Sequence, residues 1–436
     1  MKFLSIFIYT TILLLSAASL VSAQELTPKE QLGKSIFFDQ NLSLNGNQAC
    51  AACHGPEVGF TGPIEAFNVA GAVYEGSVAG LFGNRKPPSS AYATQSDILH
   101  YEIEKKEALF EGGNFWDGRA TGEKLGNPAA DQAQGPFLNP VEQALADSAC
   151  VVYRVCNPAI PSDYPVLFEE VWGDETCDIS WPVDVGAVCA TDGGIVSLSA
   201  TDRAKVEQNY DSIALSIAAF EASPESNAFR SKYDAYLAGL VDLSKEEKMG
   251  LHMFKGKGKC ANCHLLDSDN DDGSQPLLTD FTYDNLGVPR NPENPVYDVD
   301  PDFVDVGLGG FLASRPDYAE FAEENMGKQK VPTLRNVDKR PNELFVKAYT
   351  HNGYFKSLKS IVHFYNTRDA KPSCESMGID DATEAMALAN DCWPQPEVSE
   401  NVNTKELGNL HLTEAQEDAL VAFLKTLTDG YMEPAP

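Results

Sequence analysis

The sequence predicts a mainly α-helical protein built as two related domains in tandem, with long loops and insertions. Three observations lead there. The chain has 436 residues, which suits about two domains at ~150–200 residues each. An internal repeat aligns Leu26-Thr27-Pro28-Lys29-Glu30-Gln31-Leu32-Gly33, followed by Phe37, with Leu243-Ser244-Lys245-Glu246-Glu247-Lys248-Met249-Gly250, followed by Phe254. The offset is 217 residues. Between the helical patterns the chain is rich in Gly, Pro, Asn and Asp, and few runs alternate as strands would. Hydrophobic residues make up 43% and charged residues 22%, enough apolar content for real cores and too much for wholesale disorder.

Taken in chain order, residues 1–23 read as a secretory signal. Lys2 gives a positive start, Phe3 to Val21 is almost wholly apolar, and Val21-Ser22-Ala23 offers small residues at a cleavage site. An uncleaved anchor is the rival reading, because the run is close to spanning length. No later stretch is apolar for long enough to span a bilayer, so the expectation is an exported chain, periplasmic or beyond, with no membrane span after signal cleavage. The first repeat copy opens with a capping box, Thr27 to Glu30, and the second with Ser244 to Glu247. A strong helix carries Val206, Tyr210, Ile213, Ile217 and Phe220 on one face. The polar stretch Ser223-Pro224-Glu225-Ser226 follows it, which places the domains at 24–225 and 226–436. A last helix starts at Thr413 with Gln416 closing its capping box, buries Leu420, Phe423, Leu424 and Leu427, and is expected to stop at Gly430.

Charge narrows the partners. Lys and Arg number 33 against 64 Asp and Glu, a net charge of −31. Nucleic-acid binding needs cationic contacts to phosphate, and docking to anionic lipid needs a basic surface; both are excluded as general roles. A small basic electron-carrier protein is the kind of partner such a surface attracts, while plain solubility or a salty habitat explains the same charge without one.

The cysteines carry the chemistry. Four of ten fall in two pentads, Cys50-Ala51-Ala52-Cys53-His54 and Cys260-Ala261-Asn262-Cys263-His264. This spacing attaches c-type haem: two thioethers hold the porphyrin edge and the adjacent His turns onto the iron. A zinc site is the rival, but neither pentad has a second ligand pair at zinc spacing. The expectation is two tandem c-type cytochrome domains, each with one covalently bound c-type haem. The six remaining cysteines, even in number in an exported chain, read as disulfides. Proximity suggests Cys150–Cys156, Cys177–Cys189 and Cys374–Cys392, among the 15 pairings six cysteines allow.

Seven landmarks in order give the chain a specific resemblance. They are the first pentad; Phe115-Trp116-Asp117-Gly118-Arg119-Ala120; Gln132 through Gly135-Pro136, Asn139-Pro140-Val141-Glu142; Ile217-Ala218-Ala219-Phe220-Glu221; the second pentad, followed by Asn285-Leu286-Gly287; Pro332-Thr333-Leu334-Arg335-Asn336; and His351-Asn352-Gly353. Over nearly all of the chain beyond residue 23 this resembles the bacterial di-haem cytochrome c peroxidase family, including its MauG branch. The resemblance implies that the haem on Cys50, Cys53 and His54 is the peroxide site. Glu142 matches the acid/base that moves a proton between the peroxide oxygens, and Gln132 a pocket amide that hydrogen-bonds peroxide. Trp116 matches the tryptophan between the haems, and Arg119 and Arg335 are candidate partners of haem propionates. As bare sequence, Glu142 is a helix carboxylate and Trp116 a core aromatic.

Two departures discriminate within the family. Most members carry a His before an Arg-Asn-x-Pro run that ligates the resting peroxide-site haem. The matching stretch here, Gly76 to Pro88, has none, nor does any position between His54 and His100. The peroxide site is therefore expected to be open from the start, with His100 the alternative ligand. The other haem is usually ligated by Met, 14 residues after the His of the His-x-Gly motif. Here that position is Tyr365, as in MauG, with His363 and Met377 as rivals. A phenolate favours ferric iron and lowers the potential. The resemblance also implies calcium between the domains, held partly through the Asn of the Arg-Asn-x-Pro run; Lys86 stands there instead. The run Asp267-Ser268-Asp269-Asn270-Asp271-Asp272-Gly273 imitates the start of a calcium loop but lacks the Glu at position twelve. Insertions at 92–113 and 150–189 are candidate docking elements for a protein substrate. Three functions follow: a MauG-type enzyme that uses hydrogen peroxide to oxidise a protein substrate, a peroxidase fed by a small redox protein, or a non-enzymatic electron-transfer cytochrome. Glu142, Gln132 and the missing His argue against the third.

Overall fold

The computed structural model describes residues 25–104, 107–157, 164–267 and 275–432. The leader at 1–23 and most of the acidic run at 267–273 lie outside the described residues. Eight described helices have nine residues or more: α1 (Pro28–Phe37), α2 (Pro128–Leu138), α3 (Ser148–Cys156), α4 (Tyr164–Trp172), α5 (Ala200–Ala222), α6 (Lys245–Lys255), α7 (Leu358–Thr367) and α8 (Glu414–Lys425). Strands are few and short. An antiparallel hairpin, β1 (His100–Glu104) with β2 (Glu107–Glu111), pairs His100 with Glu111. A second antiparallel pair, β3 (Tyr283–Asp284) with β4 (Gln329–Lys330), holds two residues a side.

The capping boxes form as the sequence predicts. Thr27 Oγ1 accepts from the Glu30 N–H at 3.3 Å, and Glu30 Oε2 accepts from the Thr27 N–H at 2.7 Å. Ser244 and Glu247 repeat this at 3.1 and 2.7 Å. Each such cap is worth about 1 kcal/mol.

The repeat is a packing device as well as a sequence pattern. At Gly33 a Cβ would lie 1.8 Å from the Ser216 carbonyl oxygen, so α1 crosses α5 backbone to backbone. At Gly250 a Cβ would lie 1.9 Å from the Ala419 carbonyl oxygen, so α6 crosses α8 in the same way. One turn on, Phe37 meets Phe220 with ring centroids 5.3 Å apart, and Phe254 meets Phe423 at 5.2 Å. The buried apolar residues accordingly gather into two large clusters. One runs from Leu32 to Phe220 and the other from Tyr233 to Leu427. A smaller cluster ties the β1–β2 hairpin to the chain's second half through Phe110, Tyr283, Leu308 and Leu312.

Three local expectations are corrected or completed. The disulfides are Cys150–Cys189, Cys156–Cys177 and Cys374–Cys392; only the last follows sequence proximity. Cys150 and Cys156 share α3, where six residues rise about 9 Å. That exceeds the Cα separation a disulfide allows, and the two bonds formed span 5.3 and 5.1 Å. Helix α8 ends at Lys425, not near Gly430. The residues after it are claimed by other segments: the Asn336 N–H donates to the Leu427 carbonyl, and Asp429 accepts from Tyr92, Arg230 and Asn336. No helix among the described residues is long and apolar enough to cross a membrane.

Candidate functional site: two cavities joined at a tryptophan

Each pentad opens onto its own cavity. The first encloses about 1380 Å³ to its mouth and is lined by Cys53, His54, Trp116, Arg119, Gln132 and Glu142, among others. The second encloses about 1140 Å³ and is lined by Cys260, Cys263, His264, Trp116, His351 and Tyr365, among others. A narrow extension of the first reaches Cys50. The four pentad cysteines are outside any disulfide. Burial pushes the thiols up, to about 12 for Cys50 and Cys260.

The two histidines are set in the same way. His54 Nδ1 lies 3.1 Å from the Phe60 carbonyl oxygen, and His264 Nδ1 lies 2.9 Å from that of Leu278. Both carbonyls come from residues in the left-handed region, at φ 57°. That bond orients the ring and leaves Nε2 for a ligand role. Burial lowers both histidines to about 4, so each ring is the neutral imidazole a metal needs. Free thiol pairs, a neutral imidazole and a large, mostly apolar chamber fit a haem in each cavity.

Glu142 and Gln132 share the first cavity. Helix α2 carries Gln132; its cap, Asn127, accepts from the N–H groups of Ala129 and Ala130 at 2.8 and 3.2 Å. Glu142 follows α2 in a tight turn, its N–H bonded to the Asn139 carbonyl at 2.9 Å. Its Oε1 accepts from Asn139 Nδ2 at 2.8 Å. Burial raises the Glu142 carboxyl above its ordinary range; the Asn139 bond and the Arg119 charge partly oppose this. Among the described residues, His54 is the one histidine lining this cavity. His100 is on β1, exposed, with Nδ1 2.9 Å from the Ile98 carbonyl.

Tyr365 lines the second cavity from α7. Its hydroxyl makes no hydrogen bond among the described residues, and burial raises the phenol well above its ordinary value. Both rivals point elsewhere. His363 Nδ1 is 2.9 Å from Glu417 and its Nε2 2.7 Å from Lys371 Nζ, and Met377 is half exposed; neither lines the cavity.

Trp116 borders both cavities. Its Nε1 donates to the Lys86 carbonyl at 2.8 Å, and its own carbonyl accepts from the Lys330 N–H at 2.8 Å. Arg119 reaches the first cavity but is forked onto Asp117 at 2.9 and 2.8 Å. Arg335 does not fit the propionate role. It is buried with both Nη atoms on Asp234, at 3.1 and 2.9 Å, and Nε on the Pro276 carbonyl, and it lines neither cavity. It is a strut tying Asp234 to the 276–335 segment.

Four lining residues carry no assigned site role in the sequence, His351 and Glu221 standing there only within landmark motifs. Gln48 donates to Cys53 Sγ at 3.4 Å and to the Glu75 carbonyl at 3.2 Å. Lys330 lines both cavities with its Nζ on Ser96 Oγ and the Gly112 carbonyl. His351 packs edge-on to Trp116, centroids 6.4 Å apart. Glu221, buried on α5, has no cationic partner among the described residues and is raised to about 8 by burial. A signal for it was present: the α1–α5 and α6–α8 crossings superpose Phe220 on Phe423, which sets Glu221 against Leu424 in the other half.

Two haem-fitting cavities meeting at one tryptophan, the first lined by Glu142 and Gln132 and the second by Tyr365, define a two-haem oxidoreductase. Comparison with known proteins makes this specific. Residues 27–242 match the family model of di-haem cytochrome c peroxidase. The chain is 33% identical over 407 residues to methylamine utilization protein MauG of Paracoccus denitrificans, covering 92% of this chain and 89% of that protein. It is 25% identical to cytochrome c551 peroxidase of Nitrosomonas europaea over 337 residues, 76% of this chain and 71% of that one. Its structure matches the di-haem peroxidase BthA of Burkholderia thailandensis with a TM-score of 0.70 and 27% identity, over 93% of this chain and 87% of that one. This chain belongs to the di-haem cytochrome c peroxidase family and is an oxidoreductase with two haems.

Proposed function

We propose that the protein is an exported enzyme that takes hydrogen peroxide at the Cys50/His54 cavity and draws the reducing equivalents, through Trp116, from the Cys260/His264 side. The units are 24–225 and 226–436. Bound through thioethers to the pentad cysteines, the two haems supply the iron redox chemistry. The chain's own residues do the rest. The Gln132 amide donates a hydrogen bond to peroxide. Glu142 accepts a proton from one peroxide oxygen and returns it to the other, which leaves as water. Its raised pKa suits that exchange. Trp116 offers an indole between the cavities. His264 and the phenol oxygen of Tyr365 would hold the iron on the far side, the phenol oxygen being a hard donor that favours oxidised iron.

The observation that carries this reading is the asymmetry of the cavities: Glu142 and Gln132 with no second histidine among the described residues in one, Tyr365 in the other. It favours oxidation of a protein substrate over simple peroxide removal, because a phenolate at the far site would lower the potential there and make a higher oxidation state easier to reach. The acidic surface suits a basic redox protein as donor. The test is stopped-flow mixing of hydrogen peroxide with the diferric, unreduced protein. Fast bleaching of the visible bands with new near-infrared absorption is expected. No reaction until one haem has been reduced would overturn the open site and the Tyr365 ligand.

A further inference from the structure

The family resemblance calls for a divalent cation near position 86, and the residues here do not fit one. Calcium is held by six to eight oxygen acceptors. Lys86 is buried, and its Nζ already donates to Thr61 Oγ1 at 2.7 Å and to the Pro87 carbonyl at 2.9 Å. Two oxygens suited to an ion thus serve an ammonium, whose charge repels one. The nearby carboxylates of Asp117 and Asp305 are committed to Arg85 at 2.5 and 2.6 Å.

The position is the joint between the cavities. The Lys86 N–H donates to the His351 carbonyl at 2.7 Å, on the second cavity, and the Lys86 carbonyl accepts from the Trp116 indole. No carboxylate pairs with Lys86 among the described residues, and burial alone lowers its ammonium to about 7. A buried charge without a partner is costly. Haem carries carboxylates, and Lys86 lines the first cavity, whose residues fit a haem. Lys330, half-buried and with its Nζ bonded to neutral oxygens, is tied to Trp116 through its N–H.

We propose that Lys86 is an internal cation in place of calcium at the crossing between the two cavities, and that it balances haem carboxylates there. This rests on both cavities holding haem, which a haem count on the same sample checks separately. The two-haem protein, dialysed against a chelator, is assayed for bound metal and for its peroxide-driven spectral change with chelator or with calcium chloride. Expected are no bound calcium and the same rate in both. Lys86→Asn, which exchanges the ammonium for an oxygen acceptor, is expected to bind calcium by calorimetry and to react about tenfold faster with calcium than without, an ordinary size for coupling between sites. Lys86→Met, which keeps length without charge, is expected to be slowed and not rescued by calcium. One equivalent of calcium retained by the native protein, slowing by chelator, or a Met variant equal to native would each overturn the proposal. A count below two haems would overturn the functional reading instead.

Discussion

Glu142 and Glu221 are two carboxyls on one cavity that their surroundings suit to different tasks. Glu142 has a hydrogen-bond partner and a nearby guanidinium, and both oppose the rise that burial causes in its carboxyl. Glu142→Gln keeps the shape and removes the exchange. The expected loss is about 10²–10⁴-fold in the rate with peroxide, the usual worth of a general acid–base, with the resting visible spectrum unchanged. Glu221 sits deeper with no cation, and the folded protein prefers it protonated. Its ordinary value is 4.5 and its folded value about 8. The stability of the neutral form is therefore complete below about pH 4.5 and is lost as pH rises toward about 8, by up to ~1.4 kcal/mol per pH unit. Denaturant unfolding of Glu221→Gln across that window should show this slope removed. Parallel slopes for variant and native protein would contradict the assignment.

The element that matters most is the pair of glycine crossings. In Gly33→Ala two effects oppose. Alanine favours a helix interior by about 1 kcal/mol over glycine. The new Cβ, 1.8 Å from a backbone oxygen of α5, forces the helices apart, and overpacking of this kind costs about 1–3 kcal/mol. Backbone cannot yield as a side chain does, so the clash wins. A net loss of about 1–2 kcal/mol is expected from the denaturation midpoint at unchanged slope. The same crossings show what the sequence made legible. Capping boxes, the repeat and the pentads were readable because each is fixed within a few residues. The partners in two of the three disulfides, the end of α8 and the Arg335–Asp234 pair were not, because segments remote in sequence decide them. Arg335 illustrates the limit: a guanidinium matches any carboxylate, and Asp234 lies 101 residues away. Glu142, Gln132 and Tyr365 came from matched motifs, and the structure brings them to the two cavities; Lys330 belongs to the same walls but offered no local pattern of its own.

At the scale of the whole molecule, the proposed function makes one indole and one net charge the controls on electron flow. Trp116 borders both cavities, so Trp116→Phe should leave the first site able to meet peroxide. The spectral change at the second haem should slow by about tenfold or more, equivalent to at least ~1.4 kcal/mol on the barrier. The supply from outside depends on the charge of −31. Such a field steers a basic partner and raises its encounter rate by about 10–10³ at low salt. Screening shortens its reach from about 30 Å at 0.01 M salt to about 8 Å at physiological strength. The second-order rate with a basic carrier protein should therefore fall by an order of magnitude or more across that range, while the rate with a neutral small reductant stays level. The contrast isolates steering from chemistry: peroxide is neutral, so its own reaction with Glu142 in place carries no such dependence. Equal salt curves for basic and neutral donors would mean that the acidic surface serves solubility alone and that the carrier docks by another kind of contact.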